Sequence, residues 1–110
     1  MSAEAPNVTK ITSKAQFDEL IKQNPRVAVQ AHAEWCGPCK AISPVFDKLS
    51  TSATGVTFAR FDTDDVPDLS QEFGIRSIPA FFFFKDGNKE SNIAGANPKA
   101  LQEAVSSLSK

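Results

Sequence analysis

The sequence predicts an α/β domain, a three-layer sandwich with a central mixed sheet of about five strands and helices on both faces. Three observations point to it. Segments of strand period and helix period alternate in the order β-α-β-α-β-α-β-β-α. Strands separated by helices pair in parallel, while the closing hairpin adds an antiparallel edge. A chain of 110 residues with 41% apolar composition is the size of one domain and holds a core without structural disulfides. We expect a single domain over 1–110, with 1–6 a poorly ordered N-terminal extension. Nine Phe and no Tyr imply an aromatic, mostly dry interior.

Each element has its own signal. Residues 7–11 alternate weakly, as a first strand. Ser13 followed by Gln16 is a capping-box signature, and Phe17, Leu20 and Ile21 recur at helical spacing, so a helix spans about 14–23. Asn24-Pro25 stops it. Residues 26–33 are short, β-branched at first and nearly uncharged, as in a buried central strand. Ala41, Ile42, Val45, Phe46 and Leu49 mark an amphipathic helix that Pro44 should kink. Residues 56–61 form the next strand. A short helix then opens with Pro67 and closes at Gly74. The acids around that helix start read as dipole complement and solvated loop. Four consecutive Phe, an Asp-Gly turn and a return strand over 90–93 make the hairpin. The last helix runs over about 98–108, burying Leu101, Val105 and Leu108.

The formal charge of −1 leaves no basic footprint for nucleic acid. No window reaches a membrane span, and the N-terminal stretch has neither a signal-peptide apolar run nor an Arg-rich amphipathic pattern. The expected location is the cytoplasm, and the expected state a monomer. In that setting a close pair of cysteines is catalytic or metal-binding more often than structural.

The stretch "AEWCGPCK" carries the chemistry, with Cys36 where a buried strand gives way to a helix. Free N–H groups and the positive end of the helix dipole favour an anion there, which should depress the Cys36 thiol pKa. Cys39, three residues on, shares a helix face with it at a Cβ separation of roughly 5–6 Å. Small adjustments at Gly37 bring the pair to the roughly 3.5–4.5 Å that a disulfide requires. Pro38 costs little in a first turn, whose N–H groups have no helical partner, and it restricts the loop. Cys36 reads as the exposed attacking thiol and Cys39 as the shielded resolving thiol of a disulfide-exchange pair. One His and no second Cys pair are too few ligands for zinc. A structural disulfide closing so short a loop would stabilise little.

Three stretches in order, "AEWCGPCK", "GIRSIPAFFFFKDG" and "AGANP", make the chain closely similar to thioredoxin from about residue 7 to the C-terminus. The resemblance implies the thioredoxin fold and a depressed thiol pKa in the CxxC motif, for which thioredoxins are known. It implies that Pro79 is cis and offers the Ile78 backbone to an extended substrate, with Trp35 as a wall and Gly95 and Ala96 as the other lip. The docking surface so implied, Trp35, Gly37, Pro38, Ile78, Pro79 and Ala96, is flat and apolar. The implied activity is general protein disulfide reduction with no bound cofactor beyond the Cys36–Cys39 disulfide. The implied partners are disulfide-containing clients and a thioredoxin reductase. Other readings are a disulfide oxidase or isomerase, and a redox-independent binding module using the same groove.

The sequence departs from the family pattern on the entering strand. Gln30 stands where thioredoxins generally carry a buried Asp, His32 where many carry an aromatic, and Arg60 where a Lys is frequent. Gln30 cannot accept a proton, and its site reads as apolar. Arg60, without that carboxylate, is expected to snorkel to solvent. His32 leaves the same strand face as Gln30 and titrates in a useful range. We expect it to pack beside Trp35 rather than act as a base.

Overall fold

The computed structural model describes residues 7–110, so the expected N-terminal extension 1–6 lies outside the described residues. The elements follow the predicted order: β1 (Val8–Ile11), α1 (Lys14–Gln23), β2 (Arg26–His32), α2 (Gly37–Ser52), β3 (Thr57–Asp62), α3 (Pro67–Phe73), β4 (Ala80–Lys85), β5 (Asn88–Ala94) and α4 (Pro98–Leu108). They build one five-stranded sheet in the order β1-β3-β2-β4-β5. The β1–β3 and β2–β3 pairs are parallel, and β2–β4 and β4–β5 are antiparallel.

The side-chain period of two splits the core into two layers. Val27, Val29 and Ala31 of β2 join Phe82 and Phe84 of β4 under Phe17 of α1 and Leu69 of α3. Ala28, Phe81 and Phe83 face the opposite way, under Ile42 and Phe46 of α2 and Leu101 and Val105 of α4. The four-Phe run thus fills both layers alternately, each buried ring worth roughly 1.5–3 kcal/mol. Phe73, at the end of α3, sits among Phe17, Phe61, Phe82 and Phe84 with ring centroids 4.6–5.8 Å away. This packing anchors the segment that leads to Pro79.

Helix α1 begins at Ser13, whose Oγ accepts from the Gln16 N–H at 3.1 Å. The reciprocal half of the expected box is displaced by one residue: Gln16 Oε1 accepts from the Thr12 N–H at 2.8 Å. Helix α2 runs unbroken through Pro44. Gly74 closes α3 in the left-handed region at φ 65°. The hairpin turns on Asp86 and Gly87, both at positive φ, between the paired Lys85 and Asn88, as a two-residue turn requires. Strand β5 is longer than expected. Its exposed polar residues blunt the sheet edge and hide it from a hydrophobic pattern.

Candidate active site

Strand β2 delivers the chain to the site from the middle of the sheet, where five of its seven residues are buried. The Cys36 N–H bonds to the Ala33 carbonyl at 3.1 Å, turning the chain into α2. Cys36 is the N-cap, and its Sγ accepts from the Cys39 N–H at 3.1 Å. A sulfur that accepts from a helix-start N–H is placed to hold negative charge when reduced. The two cysteines form a disulfide with a Cα separation of 5.3 Å. The expected difference in exposure is not observed in this oxidised state: Cys36 is 3% exposed and Cys39 1%. Closure draws both sulfurs against Ala33 and Ile78.

Behind the disulfide, the expected apolar setting of Gln30 proves polar. The fully buried Gln30 donates from Nε2 to Ser43 Oγ at 3.0 Å, and Ser43 Oγ donates to the Cys39 carbonyl at 2.7 Å. Gln30 Oε1 accepts from Arg60 Nε at 2.7 Å. Arg60 therefore does not snorkel. Its terminal nitrogen forms an ion pair with Asp47, and its guanidinium lies 5.7 Å from the Phe46 ring centroid. The physical reason is cross-strand register: Gln30 pairs with Arg60 on adjacent parallel strands, so both side chains leave the same face toward α2. Ser43 and Asp47 were missed from sequence. Cys39, Ser43 and Asp47 are spaced at i, i+4 and i+8, one stripe of α2, and that stripe was the available signal.

His32, two residues past Gln30, turns to the same side. It lines a cavity of about 290 Å³ with Cys39, Ser43, Asp47 and Arg60. Trp35 lines a different cleft, so the two side chains serve opposite sides of the motif. Burial, and then the Arg60 charge, lower the His32 pKa, while Asp62 and Glu34 work against the shift.

In front of the disulfide, Trp35 is 70% exposed. Its Nε1 donates to Asp64 Oδ2 at 3.0 Å, and the Asp64 N–H in turn bonds to Asp62 Oδ1 at 2.8 Å. The acids read as a solvated loop therefore include the group that holds the indole. Trp35 and Ile78 line a cleft of about 410 Å³ together with Ser70, Ile75 and Arg76. The Ile78–Pro79 peptide is cis, and the Ile78 carbonyl lies 3.8 Å from Cys36 Sγ. Pro79 itself is buried, whereas Gly37, Pro38 and Ala96 are exposed. Gly95, at φ 99°, donates its N–H to the Pro79 carbonyl at 2.8 Å, which sets the 95–96 lip beside the cis peptide. Hydrogen bonds and shared cavity walls thus link Ile78, Gln30, Arg60 and His32 to the two cysteines.

The family model described as Thioredoxin matches residues 8–107. The chain belongs to the thioredoxin family. It is 46% identical over 102 residues to the protein named Thioredoxin Asp f 29 of Aspergillus fumigatus, covering 90% of this chain and 93% of that one. The solved thioredoxin of Malassezia sympodialis, described as a member of a pan-allergen family, superposes with TM-score 0.91 at 37% identity over 100% of this chain and 98% of its own. Oxidised mitochondrial thioredoxin 3 of Saccharomyces cerevisiae gives 0.89 at 39% identity, covering 92% and 95%. As a thioredoxin with a closed Cys36–Cys39 pair, the chain is a thiol-disulfide oxidoreductase that reduces protein disulfides and is recycled by a thioredoxin reductase. Among the described residues, no group of three or more His, Cys, Asp or Glu could hold a metal ion, and no helix is long and apolar enough to cross a membrane.

Proposed function

We propose that Cys36 attacks the client disulfide and that Cys39 resolves the product. The Cys36 thiolate attacks one client sulfur and the other leaves as a thiolate, forming a mixed disulfide. The Cys39 thiolate then attacks Cys36 Sγ, the Cys36–client bond breaks, and the client departs with two electrons. The observation that carries this assignment is the position of Cys36 Sγ, at the helix cap and against the Ile78 carbonyl on the cleft side. Cys39 instead lines the cavity behind.

The docking surface in this reading is Trp35, Gly37, Pro38, Ile78, Pro79, Gly95 and Ala96. A client segment lies extended across it and borrows backbone hydrogen bonds at Ile78. Gln30, Arg60 and His32 support the pair from behind. The partners are disulfide-bearing proteins and a reductase, with no nucleic acid or membrane. The disulfide is the redox group, and no further cofactor is bound. The protein acts as a single-domain monomer. The cytoplasm, whose thiol buffers keep such pairs cycling, is the working compartment. The mitochondrial name of the yeast relative marks the competing location, and fractionation of cells expressing the protein separates the two.

Trapping tests the assignment. Cys39→Ser should accumulate covalent complexes with clients on a non-reducing gel, and Cys36→Ser should not. The opposite pattern reverses the two roles.

A further inference from the structure

A resolving thiol must lose its proton before it attacks, because the thiolate is the nucleophile. Cys39 is 1% exposed, so its proton needs an acceptor close by. The cavity of about 290 Å³ behind the disulfide reaches it. Besides Cys39, the titratable side chains lining that cavity are His32, Glu34, Lys40, Asp47 and Arg60. Lys40 and Arg60 are cations at neutral pH and have no acceptor. Asp47 is engaged in its ion pair with Arg60. Glu34 is exposed and faces solvent in the turn before the motif. The Gln30 amide, one hydrogen bond beyond Ser43 in the chain from Cys39, does not take a proton.

His32 is left. It is half-buried, and its ring makes no hydrogen bond among the described residues. It shares with Gln30 the strand face that meets α2. We propose that His32 accepts the Cys39 proton during resolution of the mixed disulfide, directly or through water in this cavity.

The step balances. The Cys39 S–H bond breaks and its proton goes to an imidazole nitrogen. Cys39 sulfur bonds to Cys36 Sγ, and the Cys36–client bond breaks to release a client thiolate, which takes a proton from solvent. The imidazolium then gives its proton to solvent, and when the reductase opens the disulfide Cys39 takes a proton back from solvent. The charged groups around the ring are Lys10 on β1, Arg60 and Asp62 on β3, Glu34 in the turn, and Lys40 and Asp47 on α2. Burial and Arg60 outweigh Asp62 and Glu34, so the ring is neutral near pH 7 and has a nitrogen free to accept.

This proposal rests on Cys39 being the resolving thiol. An aromatic disulfide that releases a coloured thiolate at each step separates attack from resolution in a stopped-flow trace of the reduced protein. In wild type, the second phase should speed up with pH through an ionisation below 6.5 and then level off until Cys39 itself ionises. In His32→Ala that ionisation should vanish and the second phase slow about a hundredfold at pH 7, near the low end of what a positioned base supplies. The first phase should hold its rate. Free imidazole should restore the second phase of His32→Ala, and His32→Gln should behave as His32→Ala does. An unchanged pH profile, equal slowing of both phases, or no recovery with imidazole overturns the proposal. Failure of the underlying assignment looks different: Cys39→Ser would then abolish the first phase instead of the second.

Discussion

Replacing Gln30 by Met measures what the polar chain behind the disulfide contributes. Met keeps nearly the same length and volume, so no cavity opens and only the hydrogen bonds are lost. Arg60 Nε loses its acceptor at 2.7 Å, and Ser43 Oγ loses its donor at 3.0 Å. A hydrogen bond to a charged group is worth about 1.5–3 kcal/mol and a neutral one about 0.5–1.5 kcal/mol. The Arg60 side chain is 21% exposed, so water replaces part of its loss. The low ends of both ranges apply, and they sum to about 2 kcal/mol. At about 2.1 cal/mol/K per residue, 110 residues unfold with an entropy of roughly 0.23 kcal/mol/K, so Tm should fall by about 9 °C. Calorimetry on the oxidised protein measures it. Adding Ser43→Ala to Gln30→Met should cost less than Ser43→Ala alone, because the bond the two share is already gone. A Tm within 2 °C of wild type, or strict additivity of the pair, would show that the chain carries no energy and that this account of Gln30 is wrong.

Three further outcomes are expected. A short iodoacetamide pulse on reduced protein near neutral pH should label Cys36 well before Cys39, because the helix start favours the Cys36 thiolate; equal labelling on mass mapping refutes the electrostatic argument. Asp64→Ala should leave stability within about 0.5 kcal/mol and reduce kcat/KM for a folded client by a factor of about 2–10, the worth of one partly exposed hydrogen bond. The anisotropy of the single Trp should drop with it, and an unchanged anisotropy would mean that Asp64 does not hold the indole. Because the His32 pKa lies below its unfolded value of about 6.5, the folded state binds fewer protons. Stability is therefore full above pH 6.5 and declines as pH falls toward the depressed value. His32→Asn should flatten that part of a denaturation-versus-pH series, and an identical slope in both proteins contradicts the shift.

What was legible in the sequence was what local chemistry decides. The bounds of α1 follow from Ser13 and from Asn24-Pro25, which cap and stop a helix by themselves, and α4 from the spacing of Leu101, Val105 and Leu108. The CxxC pair and cis-Pro79 were carried by short contiguous stretches. Contacts that cross the chain were not legible in this way. Arg60 was expected in solvent because Gln30 offers it no carboxylate; the carboxylate it does pair with, Asp47, lies 13 residues away on another element. Asp64 was absorbed into an acidic loop because its partner Trp35 is 29 residues earlier. Strand ends moved by one or two residues at positions such as Asn88 and Asp62, where backbone pairing continues past the last apolar side chain.

In the proposed reaction the two sides of the disulfide divide the work between them. Disulfide exchange moves two electrons and also a proton, and the two need different surroundings. Electron transfer requires a client sulfur to approach Cys36 along the S–S axis, and therefore an open, apolar approach such as the cleft between Trp35 and Ile78. Proton transfer requires a polar route with a neutral base, and an apolar cleft about to be covered by a client cannot provide one. Cys36 caps the helix, and Cys39, three residues on, lines the cavity between β2 and α2. There Gln30, Ser43 and Arg60 form a hydrogen-bonded chain that ends on the Cys39 carbonyl, with His32 lining the same cavity. In the proposed reaction a bound client therefore covers the electron path without blocking the proton path. The cysteines do not differ in exposure when oxidised, so the proposed order of attack and resolution rests on the Ile78 carbonyl beside Cys36 Sγ and on the cavity that Cys39 lines.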